Sequence, residues 1–300
     1  MDGIINILKP TGMTSHDVVK EIKKITNIKK VGHTGTLDPN AAGVLPICIG
    51  KATKVSEFLL NKEKIYRAEL TLGIETDTYD SFGNILSRKD ISSISENDIL
   101  TAFKQFKGEI LQVPPIYSAI KVKGKKLYEL ARQGIDNIDV KPRKVFIKKI
   151  DVLNIDKNKV LFDLVCSKGT YVRSICKDIG DELGCGGHMS FLLRTSSGPF
   201  NLKNSVTLEN LKKHLNRDIR EYLFNIDFCL KDYKRINLKE SALKSFINGA
   251  TVSEKGIITS ENYFRLEDEL VRVYCDNIFY GIAKVTSKNP INIKSFKLFV

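Results

Sequence analysis

A single carboxylate, Asp38, occupies the middle of the stretch 31–46, VGHTGTLDPNAAGVLP. Three glycines and two prolines in these sixteen residues make a shaped loop, neither a helix nor a plain strand. Pro39 disfavours the α region for Asp38 and pushes it towards an extended backbone. His33, Thr34 and Thr36 flank it, and the stretch holds no second acid. These residues alone leave two readings open. Asp38 either bonds its own backbone in an Asx-turn or is held as a charged group that can attack a substrate.

A second charged residue stands out by its position. The stretch Ser167-Lys-Gly-Thr-Tyr-Val-Arg173 feeds a helix with Val172, Ile175, Ile179 and Leu183 on one face, so Arg173 falls in its first turn. The helix dipole favours cations at the other end. The misfit points to a carboxylate or phosphate partner, with a surface salt bridge as the plain alternative.

The elements that must position these groups can be read from periodicity. A short strand at 4–8 stops at Lys9-Pro10. Ser15 is placed to cap a helix carrying Val18, Val19, Ile22 and Ile25. The apolar run 44–49 reads as a buried strand and 51–60 as a helix. From Lys64 the pattern alternates, with Tyr66, Ala68, Leu70 and Leu72 on one face, so Tyr66 points inward. The stretch 73–83 is loop-like and acidic. Ser95 with Asp98 resembles a capping box opening a helix with Ile99, Leu100, Phe103 and Phe106. Two strands at 144–152 and 159–167 follow, then the helix after Ser167, a strand at 189–194 and a helix at 207–215. Beyond about 232 the character changes to one helix (238–247) and short alternating strands. We read 233–300 as a separate small domain with eleven basic and seven acidic residues.

Composition narrows the partners. The chain has 300 residues, 42% hydrophobic, and a net charge of +13. A protein this basic commonly meets a polyanion, nucleic acid above all. Residues 101–150 hold twelve Lys and Arg against four Asp and Glu, more than half of the net charge. Basic residues interleaved with Tyr117 and Tyr128 suit an RNA surface; an ordinary lysine-rich loop is the plain reading. The six cysteines form no C-x-x-C pair, which fits a reducing cytoplasm. There is no signal-peptide pattern at the start and no apolar run approaching the ~20 residues of a membrane span. Without a coiled-coil pattern or long apolar stripe, a monomer is expected.

Metal and nucleotide chemistry lack their signatures. Cys185 and His188 have a C-x-x-H spacing but no second ligand pair, so no zinc site is expected. Gly43 and Gly50 are too far apart for a phosphate loop, and Ala52 stands where Ser or Thr would hold magnesium. There is no G-x-G-x-x-G, H-E-x-x-H or G-x-S-x-G. What remains is a lone acid, an arginine, tyrosines and a basic surface, a set suited to work on a nucleotide by a carboxylate.

Several stretches together resemble the TruB family of tRNA pseudouridine synthases. They are Lys9-Pro-Thr-Gly-Met-Thr-Ser-His-Asp-Val-Val19, Gly32-His-Thr-Gly-Thr-Leu-Asp-Pro39, Gly43-Val-Leu-Pro-Ile-Cys-Ile-Gly-Lys-Ala-Thr-Lys54, Val113-Pro-Pro-Ile-Tyr-Ser-Ala-Ile-Lys-Val122 and Ser167-Lys-Gly-Thr-Tyr-Val-Arg173. The resemblance spans roughly 1–230 and is much weaker after 233.

It implies a mixed α/β (α+β) catalytic domain at 1–232, with a central, largely antiparallel sheet flanked by helices and a basic RNA-binding insert at about 104–150. A small PUA-like β domain at 233–300 is implied more weakly, with another small β domain as the alternative. The implied activity is isomerisation of uridine 55 in the T-arm loop of tRNA, with base flipping and no cofactor. By the same resemblance Asp38 is the nucleophile and Arg173 holds it ionised. Tyr66 stacks on the base, Tyr171 and Leu192 line its pocket, His33 contacts the flipped nucleotide, and Lys9 grips phosphate. A non-catalytic tRNA-binding or folding module is the competing reading, and a merely adhesive nucleic-acid scaffold the third.

Overall fold

The computed structural model describes the whole chain except residues 119, 123, 132, 136, 137, 139, 214–218, 261–267 and 289. Lys123 and Arg132 of the basic segment, and Leu215 at the end of one expected helix, lie outside the described residues.

The chain begins with β1 (Gly3–Lys9), α1 (Ser15–Thr26), β2 (Val31–His33) and β3 (Ala42–Ile49). A 3-10 turn at Gly50–Val55 leads into α2 (Ser56–Leu60), so the helix expected at 51–60 is two short pieces. Then come β4 (Lys64–Leu72), the hairpin β5 (Ile74–Thr76) and β6 (Ile85–Arg88), α3 (Glu96–Gln105) and β7 (Gly108–Gln112). Between β7 and the next strand of the first sheet, the described residues of the basic segment form β8 (Lys121–Val122), β9 (Lys125–Lys126) and α4 (Leu127–Ala131). Next are β10 (Arg143–Asp156), β11 (Lys159–Cys166), α5 (Val172–Glu182), β12 (Gly187–Ser197), β13 (Phe200–Asn201) and α6 (Leu208–Lys213). The last part is β14 (Lys234–Leu238), α7 (Glu240–Ile247), β15 (Val252–Ser253), β16 (Ile257–Ser260), β17 (Leu270–Cys275), β18 (Ile278–Lys288) and β19 (Ile291–Leu298).

Two sheets organise these elements. The first runs β1-β3-β12-β4-β11-β10-β7, with β2 on β3 and β13 on β12; the second runs β15-β19-β18-β17-β14-β16. Among the described residues, only the β3–β12 pair of the first sheet is parallel. This is the mixed, largely antiparallel architecture that the family resemblance implies.

The alternation of side chains explains where the core lies. Ile5, Ile7, Leu45, Ile47 and Ile49 join Val18, Val19 and Ile22 of α1, Ile99 and Phe103 of α3, and Ile175 and Ile179 of α5 in one core. Ile4, Val44 and Cys48 point to the opposite face and meet Phe58, Leu230, Ile282 and Phe299. Strands β1 and β3 are therefore covered on both sides, which is why 44–49 reads as an unbroken apolar run. Phe162 is fully buried against Phe103, with ring centroids 5.1 Å apart; cutting such a side chain to alanine costs about 3–5 kcal/mol. Lys54 Nζ donates to Leu298 O at 2.8 Å, and Lys297 pairs with Glu57, so the last strand is tied to the 3-10 turn and α2.

Two helix starts show how the sequence sets boundaries. Ser95 and Asp98 form the expected capping box of α3. For α1 the capping residue is Thr14, in a box with Asp17, and not Ser15. The Ser15 hydroxyl is used elsewhere: it accepts from Leu37 N–H at 2.8 Å and donates to Leu37 O at 3.2 Å. This side chain fastens the loop that carries Asp38 to the start of α1.

Candidate active site

The loop between β2 and β3 is pinned from several directions. Gly12 N–H donates to Pro39 O at 2.9 Å, Thr34 N–H to Pro46 O at 3.2 Å, and Ala41 N–H to Asp38 O at 3.1 Å. Lys9 is fully buried, and its ammonium donates to Pro10 O, Met13 O and Pro39 O at 2.7, 2.7 and 3.0 Å. All three protons are used. The expectation that Lys9 grips phosphate is therefore corrected: an ammonium satisfied by three carbonyls and sealed from solvent has nothing to offer an RNA backbone. Burial lowers its pKa to about 8, partly opposed by the Asp38 charge.

Arg173, in the first turn of α5, meets Asp38 with two contacts: Nε to Oδ2 at 3.0 Å and Nη2 to Oδ1 at 3.2 Å. This forked geometry is the strong form of the arginine–carboxylate pair. The guanidinium also donates to Thr78 O at 3.2 Å and Tyr117 O at 2.9 Å, and faces Asp80 Oδ2 at 3.6 Å. Its side chain is 5% exposed, against 37% for Asp38. The arginine is thus a buried clamp, and the acid it holds remains open to a ligand. The Asx-turn reading of Asp38 gives way, because the carboxylate spends its hydrogen bonds on Arg173.

The carboxyl of Asp38 stands under opposed influences. Removal from water raises its carboxyl above the ordinary value; Arg173 and Lys9 pull it down, and Asp80 pushes it up. Desolvation outweighs the arginine, so the acid is not held below its usual range.

The other expected residues converge unequally. Tyr66 is nearly buried on β4, and burial raises its hydroxyl pKa, with Arg194 opposing. Leu192, nearly buried on β12, pairs with Ala68 two residues along from Tyr66. Tyr171 immediately precedes α5 and has no side-chain cap of its own. The buried amide of Gln112 instead accepts from Tyr171 N–H at 2.8 Å and donates to Tyr171 O at 3.0 Å. His33 is half-buried, its Nδ1 accepting from Gly35 N–H at 3.4 Å. Burial, Arg194 and His16 lower its pKa, favouring the neutral ring.

Three further residues support the site without having been marked by the sequence. Asp80 accepts from Thr78 Oγ1 at 2.7 Å and from Phe82 N–H at 3.0 Å, and so braces the far side of Arg173. Gln112 holds the start of α5. Arg194 is 1% exposed and donates to carbonyls of the loop that carries Asp38. The legible signal for the last is a lone arginine in the apolar strand Phe191-Leu-Leu-Arg194; the other two are polar residues in loops or at strand ends, with no pattern to mark them.

Cys185 and His188 both meet backbone carbonyls. His188 Nδ1 lies 2.9 Å from Ile74 O, Cys185 Sγ donates to Gly186 O at 3.3 Å, and no metal-ligand cluster occurs among the described residues. Among the same residues no helix is long and apolar enough to cross a membrane.

A solvent-reachable acid on a braced loop, clamped by an arginine and neighboured by tyrosines, can be compared with known proteins. Residues 23–172 match the N-terminal domain of TruB family pseudouridylate synthases, and 173–231 match the tRNA pseudouridylate synthase B C-terminal domain. The tRNA pseudouridine synthase B of Clostridioides difficile (strain 630) is 55% identical over 303 residues, covering 100% of both chains. That of Alkaliphilus oremlandii (strain OhILAs) is 50% identical over 298 residues, covering 99% of this chain and 98% of the relative. Among solved structures, a chain of an H/ACA RNP bound to a substrate RNA containing 2′-deoxyuridine matches with a TM-score of 0.76 at 30% identity. A chain of a Cbf5-Nop10-Gar1 complex matches with 0.75 at 31%. Each match covers 99% of this chain and 85% of the other. With relatives at this identity running from end to end and two adjoining domain matches meeting at Arg173, the chain belongs to the TruB family of pseudouridylate synthases.

Proposed function

We propose that this protein isomerises uridine to pseudouridine in tRNA, at position 55 of the T-arm loop, with Asp38 as the nucleophile. The observation that carries this reading is the forked Arg173–Asp38 pair on a pinned loop, with the acid reachable and the arginine buried. Full-length relatives named tRNA pseudouridine synthase B support the substrate class.

The chemistry asks little beyond what these residues supply. The C1′–N1 bond breaks with its electron pair leaving on uracil. Asp38 meets the electron-poor C1′, either bonding to it or stabilising its positive charge. The detached uracil turns within the pocket and C5 bonds to C1′, any bond from Asp38 to C1′ breaking with its electron pair returning to the carboxylate; the C5 proton then leaves, and N1 takes up a proton. Atoms and electrons balance within the nucleotide, so the reaction calls for no oxidant, phosphoryl donor or cofactor.

Tyr66 offers a ring face to the base, Tyr171 and Leu192 line its pocket, and His33, neutral, contacts the nucleotide drawn out of the RNA fold. Extrusion costs a few kcal/mol of lost stacking, offset by such contacts. Lysines of the 104–150 insert meet the phosphates, and 1–232 acts as the catalytic domain with 233–300 as a PUA-like RNA-binding domain. We further read the protein as a cytoplasmic monomer.

The test is to incubate purified protein with unmodified tRNA, without cofactor, and map pseudouridine chemically or by mass. The reading predicts one modified uridine, at position 55; unchanged tRNA, or modification elsewhere only, overturns it.

A further inference from the structure

Arg194 is the largest fully buried side chain among the described residues. A guanidinium removed from water is strongly destabilising unless its protons are satisfied. Its partners are backbone carbonyls of the catalytic loop. Nε donates to Val44 O at 2.7 Å, Nη2 to Gly35 O at 3.2 Å, and Nη1 reaches Thr36 O at 3.5 Å. The fork therefore joins the loop's beginning, three residues before Asp38, to its end in β3.

The backbone is shaped to admit this arrangement. In the parallel β3–β12 pair Arg194 lies opposite Gly43. A Cβ on Gly43 would stand 2.3 Å from Arg194 O and 2.6 Å from Arg194 N, and Gly43 has φ +124°. Only glycine allows that approach. On the other neighbouring strand Arg194 lies opposite Tyr66, whose phenol it draws down against the effect of burial.

We propose that Arg194 is a positioning residue for the isomerisation: its rigid fork sets the loop bearing Asp38, and the Tyr66 ring beside it, in the reactive arrangement. The inference rests on the proposed role of Asp38 as nucleophile. Loss of the fork then slows the chemical step and leaves RNA affinity unchanged, because Arg194 itself is sealed from any ligand.

The test uses the full chain with Arg194→Lys and Arg194→Gln. Lysine keeps the charge but, as a single ammonium, cannot reproduce the planar fork. The expected result is a single-turnover rate lower by about 100-fold in both variants, the scale of a small misplacement at a reacting centre, with tRNA affinity unchanged. In Arg194→Gln the His33 imidazole, followed by NMR, titrates at higher pH, since a neighbouring cation is gone. A wild-type rate in Arg194→Lys overturns the proposal, as does a loss of affinity matching the loss of rate.

Should the variants not fold, the wild-type protein still decides. The Arg194 Nε–H, bonded to Val44 O, must exchange slowly with solvent; fast exchange overturns the clamp. Wild-type protein that forms no pseudouridine refutes the functional reading instead, and the exchange measurement is independent of it.

Discussion

The catalytic loop and the basic insert serve the same RNA in the proposed function, yet they are built in opposite ways. The loop 34–41 has almost no regular structure but is fastened by Gly12, Ser15, Lys9, Arg173 and Arg194. Between β7 and β10 the described part of the insert has two strands of two residues and a five-residue helix, while β7 and the start of β10 at its two ends belong to the first sheet. Its ties to the site run through backbone carbonyls: Tyr117 O accepts from Arg173, and Val113 O accepts from Ser174 Oγ at 2.9 Å. The loop spends its bonds on holding one carboxylate still. In the proposed function the insert offers its charge to a polyanion. Chemistry at one atom requires preorganisation, whereas phosphate contacts need charge and reach, and they lose strength in salt.

Substitutions can break this contrast. Among changes that leave Asp38 in place, Arg173→Lys has the largest expected effect. It removes a forked contact that one ammonium cannot replace, so turnover falls by about 100-fold or more. The pH profile carries a sign as well. Asp38 must be ionised to act, and its carboxyl already lies above the ordinary value with Arg173 opposing that rise. Weakening the opposition moves the acid limb of the rate profile to higher pH. An unmoved limb means that another group sets it.

Lys9→Met comes next. Removing the ammonium leaves three carbonyls without their donor, and the expected cost is about 1–3 kcal/mol of stability, read by denaturant unfolding, together with reduced turnover. The dependence of tRNA affinity on salt stays as in the wild type, because Lys9 touches no phosphate. The cost also depends on pH. The folded pKa is lowered to about 8 from 10.5, so the folded state binds fewer protons than the unfolded one between these values. Lys9 therefore disfavours folding below about pH 8, and this penalty fades as pH rises towards 10.5. The stability difference between wild type and Lys9→Met shifts in favour of the wild type across that window.

Lys125→Ala, on the exposed part of the insert, should behave in the reverse manner: single-turnover rate at saturation unchanged, affinity lowered, and the slope of log affinity against log salt reduced by about 1. A loss of rate without loss of affinity would place the insert in the chemistry and erase the contrast. The smallest effect is expected for Thr14→Ala. It removes the cap of α1 at a cost of about 1 kcal/mol, measurable as a lower unfolding midpoint with little change in activity.

Much of this arrangement is legible in the sequence because it is local. Alternation over 64–72 places Tyr66 inward, the Ser95 and Asp98 spacing marks a helix start, and an arginine in the first turn of α5 advertises a missing anion. What stays hidden depends on contacts between distant segments. Ser15 looks like a cap, but Leu37, 22 residues away, claims its hydroxyl. Lys9 looks like a surface cation beside a turn, yet Pro39 closes over it. Asp80 and Arg194 matter through partners 93 and 150 or more residues away in the chain, and no local periodicity carries such information. The net effect on Asp38 escapes the sequence for a related reason: the arginine is visible as a residue type, but the degree of desolvation exists only in the folded site.

The central claim is that one clamped carboxylate performs the isomerisation. The most direct measurement is single-turnover release of tritium from C5 of uridine 55 in tRNA, for wild type and Asp38→Asn side by side. The expected result is release by the wild type and a rate lower by about four orders of magnitude or more in Asp38→Asn, the scale of losing a nucleophile, with tRNA affinity retained. Release by Asp38→Asn at a rate near that of the wild type would contradict the claim.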